Sequence, residues 1–108
     1  MSVVDEGSVD AIGVENATGK VVLTISDHLD WTDAETHTLA LQEKLNTYLA
    51  FVESGEIVES YPDAAGRSVA FDLVMRVAPD ARGSMFLSRV HGVVEGAGIE
   101  MRYRLLGE

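Results

Sequence analysis

TDAETHTLALQEKLNTYLAFVESG, residues 32–55, decides the fold. Its opening Thr32-Asp33-Ala34-Glu35 has the spacing of a capping box, in which the Thr32 hydroxyl accepts from the Glu35 backbone N–H and the Glu35 carboxylate reaches back to the cap. From there Ala34, Leu41, Leu45, Tyr48, Leu49 and Val52 recur at helical spacing within a stripe about 100° wide, and Gly55 is a natural stop. A helix with one apolar stripe must lay it on another element, and the flanking sequence supplies strands.

Upstream, Val21, Leu23 and Ile25 alternate with polar neighbours in Lys20–Ser26, which predicts a strand. Val9–Glu15 predicts another, and Asn16-Ala17-Thr18-Gly19 between them a hairpin turn. Downstream, Glu56–Tyr61 predicts a short strand and Pro62–Gly66 a turn. Ser68–Val77 is the better strand, with Val69, Phe71, Leu73, Met75 and Val77 on one face. Ser84 is the expected cap of a second helix whose stripe is Phe86, Leu87, Val90, Val93, Val94 and Ala97. Ile99, Met101, Tyr103 and Leu105 then alternate with Glu100, Arg102 and Arg104 in a last strand.

The resulting order, ββα(β)βαβ, implies an α+β two-layer sandwich: a mostly antiparallel sheet of four or five strands with two helices on one face. If the bracketed strand forms, the alternative is a ferredoxin-like fold with an extra N-terminal strand. The expected core packs Leu41, Leu45, Leu49, Val90 and Val94 on Leu23, Ile25, Phe71, Leu73, Met101 and Tyr103. Residues 1–8 are expected to be a flexible terminus and residues 9–108 a single domain.

The chain has 108 residues and no cysteine, so disulfides, thiolate metal sites and cysteine nucleophiles are excluded. Apolar runs such as Val21-Val22-Leu23 are short and the first ten residues carry acids without a basic region, so a cytoplasmic chain without signal peptide or membrane span is expected. The Asn16-Ala17-Thr18 sequon then has no glycan to carry. Formal charge is −10. It is uneven: residues 1–66 hold 13 acids and 2 bases, residues 67–108 hold 5 acids and 6 bases. That balance argues against nucleic acid and anionic membrane as partners and fits either solubility or a basic protein partner.

Motifs for chemistry are few. Gly96-Ala97-Gly98 is a helix end rather than a phosphate loop. The densest polar cluster is Asp27-His28-Leu29-Asp30-Trp31 with Asp33 and His37, and a metal-binding or hydrolytic site at Asp27, His28, Asp30 and His37 is the enzyme alternative. Its spacing matches no metal signature. Asp30 and Asp33 are accounted for by helix capping, and His37 lies at the edge of the stripe one turn before Leu41, where a hydrogen-bonded packing role is commoner. Trp31 is the expected lid over the end of the core. No catalytic residue, metal or cofactor is therefore expected.

The stretch Leu23-Thr24-Ile25-Ser26-Asp27-His28-Leu29-Asp30-Trp31, followed by Leu41 through Glu56, resembles a family of small bacterial domains of unknown function. More loosely, the resemblance runs through Tyr61-Pro62 to the last strand. It implies a bacterial, cytosolic, stand-alone domain and brings no substrate or cofactor. The leading expectation is a non-enzymatic acidic protein-interaction module, immunity- or antitoxin-like in its complementarity to a basic partner. Contact candidates are Leu39, Glu43, Asn46 and Ala50, which lie off the core stripe; Glu43 and Lys44 are expected to be solvated. A third expectation is a structural homo-oligomer, a two-fold homodimer built on Leu39 or on an edge strand. The sheet face away from the helices, carrying Asp72, Arg76, Arg102 and Arg104, is expected to be locally basic.

Overall fold

The computed structural model describes residues 11–106. The expected flexible stretch Met1–Ser8, and Val9 and Asp10 of the expected first strand, lie outside the described residues. Strands β1 (Ala11–Val14) and β2 (Val21–Asp27) form the expected antiparallel hairpin, with Ile12 opposite Leu23 and Val14 opposite Val21. The Glu15 N–H donates to the Lys20 carbonyl at 2.8 Å and the Gly19 N–H to the Glu15 carbonyl at 2.8 Å. Gly19 takes a φ of +74°, in the left-handed region that favours glycine.

After the hairpin come α1 (Ala34–Glu53), α2 (Glu56–Ser60), a 3₁₀ turn (Pro62–Ala64), β3 (Val69–Met75), α3 (Ala81–Gly96) and β4 (Glu100–Leu105). The sheet order is β1-β2-β3-β4, and both β2/β3 and β3/β4 are parallel. The fold is therefore α+β with a four-stranded mixed sheet, and the mostly antiparallel expectation is corrected. A helix running back along each strand returns the chain to its starting end, so the strand that follows is parallel. Both crossovers step the same way, β2 to β3 to β4, and a common right hand puts both helices on one face. Among the described residues the opposite face carries no helix layer.

Three local expectations change as well. Glu56–Ser60 is helical, not a strand, which removes the ferredoxin-like alternative. Gly55, at φ +83°, turns the chain off α1, and only Ile57 of the new turn is buried, so period-two burial never develops. The cap of α1 is Asp33 rather than Thr32: its carboxylate accepts from the Thr36 N–H at 3.2 Å and the Thr36 hydroxyl at 2.8 Å. The cap of α3 is Asp80 rather than Ser84, accepting from the Gly83 N–H at 2.8 Å.

Between the layers, Leu41, Leu45, Tyr48, Leu87 and Val94 pack with Val21, Leu23, Ile25, Phe71, Leu73 and Met101. Tyr48 meets Phe71 edge-on at 5.6 Å and donates its hydroxyl to the Thr24 carbonyl at 2.6 Å. Leu49 and Val90 are half-buried, Val93 and Ala97 lie outside the core, and Tyr103 on the edge strand is exposed against the ring of His91. Lys44 is fully buried, contrary to expectation, with its ammonium 5.6 Å from the centre of the Tyr48 ring.

On the open sheet face Arg102 and Arg104 are ion-paired, whereas Arg76, expected on the same face, is exposed with no ion-pair partner among the described residues. Arg102 makes a two-pronged contact with Glu15 at 2.9 and 3.1 Å and a further one with Glu100 at 2.9 Å, and Lys20 reaches Glu100 at 2.9 Å. Arg104 pairs with Asp72 at 3.3 Å. Glu15 and Lys20 flank the β1–β2 turn while Glu100 and Arg102 lie on the edge strand β4, and between them β3 offers Ala70, opposite Glu100 and fully buried. Among the described residues no helix is long and apolar enough to cross a membrane.

Candidate functional site

The polar junction follows from where β2 ends. Asp27 is its last residue and points to the covered face, while His37 sits one turn into α1 on the buried stripe. The two meet: His37 Nε2 lies 2.5 Å from the Asp27 carboxylate, with both side chains almost wholly removed from solvent. His37 Nδ1 lies 2.8 Å from the Asp30 carbonyl. A carbonyl can only accept, so Nδ1 carries a hydrogen. The Nε2 contact holds one further proton, and whichever atom carries it the pair is net neutral. The remaining Asp27 oxygen accepts from the Leu29 N–H at 3.1 Å.

Trp31 closes this junction. Its ring stacks on His37 at 3.7 Å between centroids, and its indole N–H donates to the Val77 carbonyl at 3.2 Å. On the other side it lies against Gly83 of α3, where an added Cβ would stand 2.7 Å from the ring. The tryptophan is thus a lid clamped between the two helices.

The other two site candidates do not join the pair. His28 is exposed. Asp30 is exposed too, and its carboxylate accepts from the Thr32 N–H at 3.0 Å, which holds it below the usual carboxylate range. Asp33 is lowered likewise by its bonds from Thr36. Among the described residues no three His, Asp or Glu side chains are grouped to hold a metal ion. Both imidazole nitrogens of His37 are engaged, Nε2 with Asp27 and Nδ1 with the Asp30 carbonyl, and its ring backs Trp31.

The contact candidates do fall together. Leu39, Glu43, Asn46 and Ala50 are exposed at i, i+4, i+7 and i+11 along the outer side of α1. Of these, Asn46 lines the gap between α1 and α3, whereas Ala50 lines a separate pocket with Ile12, Phe51 and Tyr61. Across the gap lies a stripe that sequence reasoning missed: Arg82, Met85, Phe86, Arg89, Val90 and Val93 on α3. Met85 is 62% and Val93 63% exposed, and Leu39 on the outer side of α1 is 54% exposed. Two pockets of about 310 Å³ each run between the helices and share Phe86 and Arg89, forming one groove. Ala34, Glu35 and Thr38 line one end with Arg82 and Met85; Gln42, Leu45 and Asn46 line the other with Val93 and Val94. Arg82 and Arg89 have no ion-pair partner among the described residues. The available signal was Arg82 and Arg89 seven residues apart around Met85, hidden by starting the helix at Ser84.

Residues 1–107 match DUF6572, a family of unknown function, and the chain belongs to that family. No curated protein and no solved structure matches it.

Proposed function

We propose that this domain is a non-enzymatic protein-interaction module that binds through the groove between α1 and α3. One observation carries the reading: exposed Met85 and Val93 lie along one groove with Arg82 and Arg89, which have no ion-pair partner among the described residues, whereas Arg102 and Arg104 of the open sheet face are paired. Methionine and arginine are enriched in protein interfaces, and a contiguous apolar strip on a small acidic surface is the part that gains most by being covered. The polar junction supports the same reading, because its histidine and aspartate are consumed in holding Trp31 and the start of α1. Acids Glu35, Glu43, Glu53, Glu56 and Glu59, all exposed, make a basic protein the alternative occupant.

A benzophenone amino acid placed at Val93, with Ala17 in the hairpin turn as control, tests the proposal in cells producing the chain. Irradiation is expected to give discrete covalent adducts from Val93 and none from Ala17. Absence of adducts from Val93, or equal labelling from both positions, would overturn it.

A further inference from the structure

We propose that the occupant of the groove is a second copy of this chain, related by a two-fold axis running along the helices, so that α1 of each protomer lies over α3 of the other. The proposal rests on the reading of the α1–α3 groove as a protein contact. Four observations lead to it.

Helices α1 and α3 run in the same direction, since each returns from one parallel strand to begin the next. They are also level with one another. Glu35 and Thr38 face Arg82 and Met85 across one end of the groove, and Gln42 and Asn46 face Arg89 and Val93 across the other. A two-fold axis parallel to the helices keeps every residue at its own height and exchanges left for right. The partner's copy of Glu35 then comes to the level of Arg82, its Leu39 to Met85 and Phe86, its Glu43 to Arg89, and its Asn46 to Val93.

Charge fits this exchange. The outer side of α1 carries Glu35 and Glu43 and no exposed base, Lys44 being buried; the α3 stripe carries Arg82 and Arg89 and no acid. At about 1.5 Å per residue, the acids are separated by about 12 Å and the arginines by about 10.5 Å along their helices. An axis across the helices would instead lay α1 on α1 and acid on acid. The contact is self-complementary and closes at two chains, so it predicts a dimer rather than a filament.

Affinity and register come from different residues. Exposed ion pairs contribute little each, so binding rests on Leu39, Met85, Phe86, Val90 and Val93, while the charges select which helix meets which.

Sedimentation velocity on the full chain tests the state. The wild type is expected at twice the chain mass of 11.7 kDa, and the double variant Met85→Asp, Val93→Asp at the single mass. Glu35→Arg with Glu43→Arg, and separately Arg82→Glu with Arg89→Glu, should each weaken the dimer at least tenfold. Mixing those two variants should restore it, since every repelling pair becomes attractive. That rescue also shows that both variants fold. Because the chain has no cysteine, a short bismaleimide tests the pairing: a mixture of Leu39→Cys and Met85→Cys chains should be linked, and neither alone. A monomeric wild type, failure of the mixture to recover, or linkage of Leu39→Cys with itself would overturn the proposal. A monomeric wild type whose Val93 adduct contains a different protein would overturn the second copy and leave the interaction module standing. Absence of any Val93 adduct would remove both.

Discussion

The Asp27–His37 pair and the Glu15–Arg102–Glu100–Lys20 network are made from the same kinds of group, carboxylates and nitrogen bases, on opposite faces of one sheet. On the covered face the two side chains are 0% and 1% exposed, whereas on the open face the four lie between 28% and 37%. Water can replace any partner lost from the open network. Nothing replaces a partner lost from the buried pair except a desolvated charge or an empty space. The fold therefore depends on the pair of residues at the junction far more than on the more numerous contacts across the open face.

The largest expected effect comes from His37→Ala. It strands the Asp27 carboxylate away from water and removes the ring on which Trp31 stacks, and breaking a buried pair of this kind costs about 3–5 kcal/mol. Urea unfolding followed by circular dichroism measures it. The double variant with Asp27→Ala should cost clearly less than the two single losses added together, since the groups act as one unit. A loss as small as that of an exposed ion pair would break the comparison.

Gly83→Ala probes the other side of the same clamp. In an exposed helix position, alanine would stabilise by up to about 1 kcal/mol. Here its Cβ would lie 2.7 Å from the Trp31 ring, which His37 backs at 3.7 Å, so the ring has no simple retreat. A net loss of about 1–3 kcal/mol is expected, as for overpacking, together with altered tryptophan fluorescence. A more stable variant with unchanged fluorescence would show that the clamp yields.

Much of this buried end was legible in residue order. The alternation of Val21, Leu23 and Ile25, the turn after Glu15 and the stripe on α1 gave the hairpin and the first helix, and the position of His37 beside Leu41 indicated the hydrogen-bonded, packed place it takes. Strand direction was not legible from alternation, because a parallel sheet bare on one face shows the same pattern as an antiparallel one. It followed from the crossovers, which local periodicity does not encode. Lys44 lies on the row His37, Leu41, Lys44, Tyr48, yet its charge argued for the surface more strongly than its place on the helix argued for burial. The start of α3 depended on a tertiary contact: Asp80 and Ser84 are both capping residues, and the approach of Trp31 to Gly83 is visible only once the two helices are packed.

A smaller effect is expected on the open face. Arg102→Ala removes contacts to both Glu15 and Glu100, but all three groups are reached by water, so the cost should stay within about 1 kcal/mol at low salt. It should shrink further in high salt as the exposed charges are screened. If this variant proves as costly as His37→Ala, the open network does more than neutralise its own charges.

The smallest effect is visible only against pH. Hydrogen bonds from Arg102, and then from Lys20, hold Glu100 down from 4.5 to about 2, and Arg102 and Thr18 lower Glu15 in the same direction. Glu100 therefore takes up a proton more readily in the unfolded chain than in the folded one. Its contribution to stability is fully present above pH 4.5 and is lost as pH falls from there towards about 2, because the unfolded state binds protons first. In Glu100→Gln the group cannot titrate, so the melting temperature should fall less steeply over that window than in the wild type, with the two curves drawing together at its acid end. Asp30 and Asp33 are lowered by their own local bonds and will keep some acid sensitivity in both proteins, which makes the difference between the curves the quantity to read. Parallel curves across the whole window would mean that the Arg102 and Lys20 contacts to Glu100 do not persist in solution. The open face would then be an array of independent solvated charges, and the contrast with the buried pair would be sharper still.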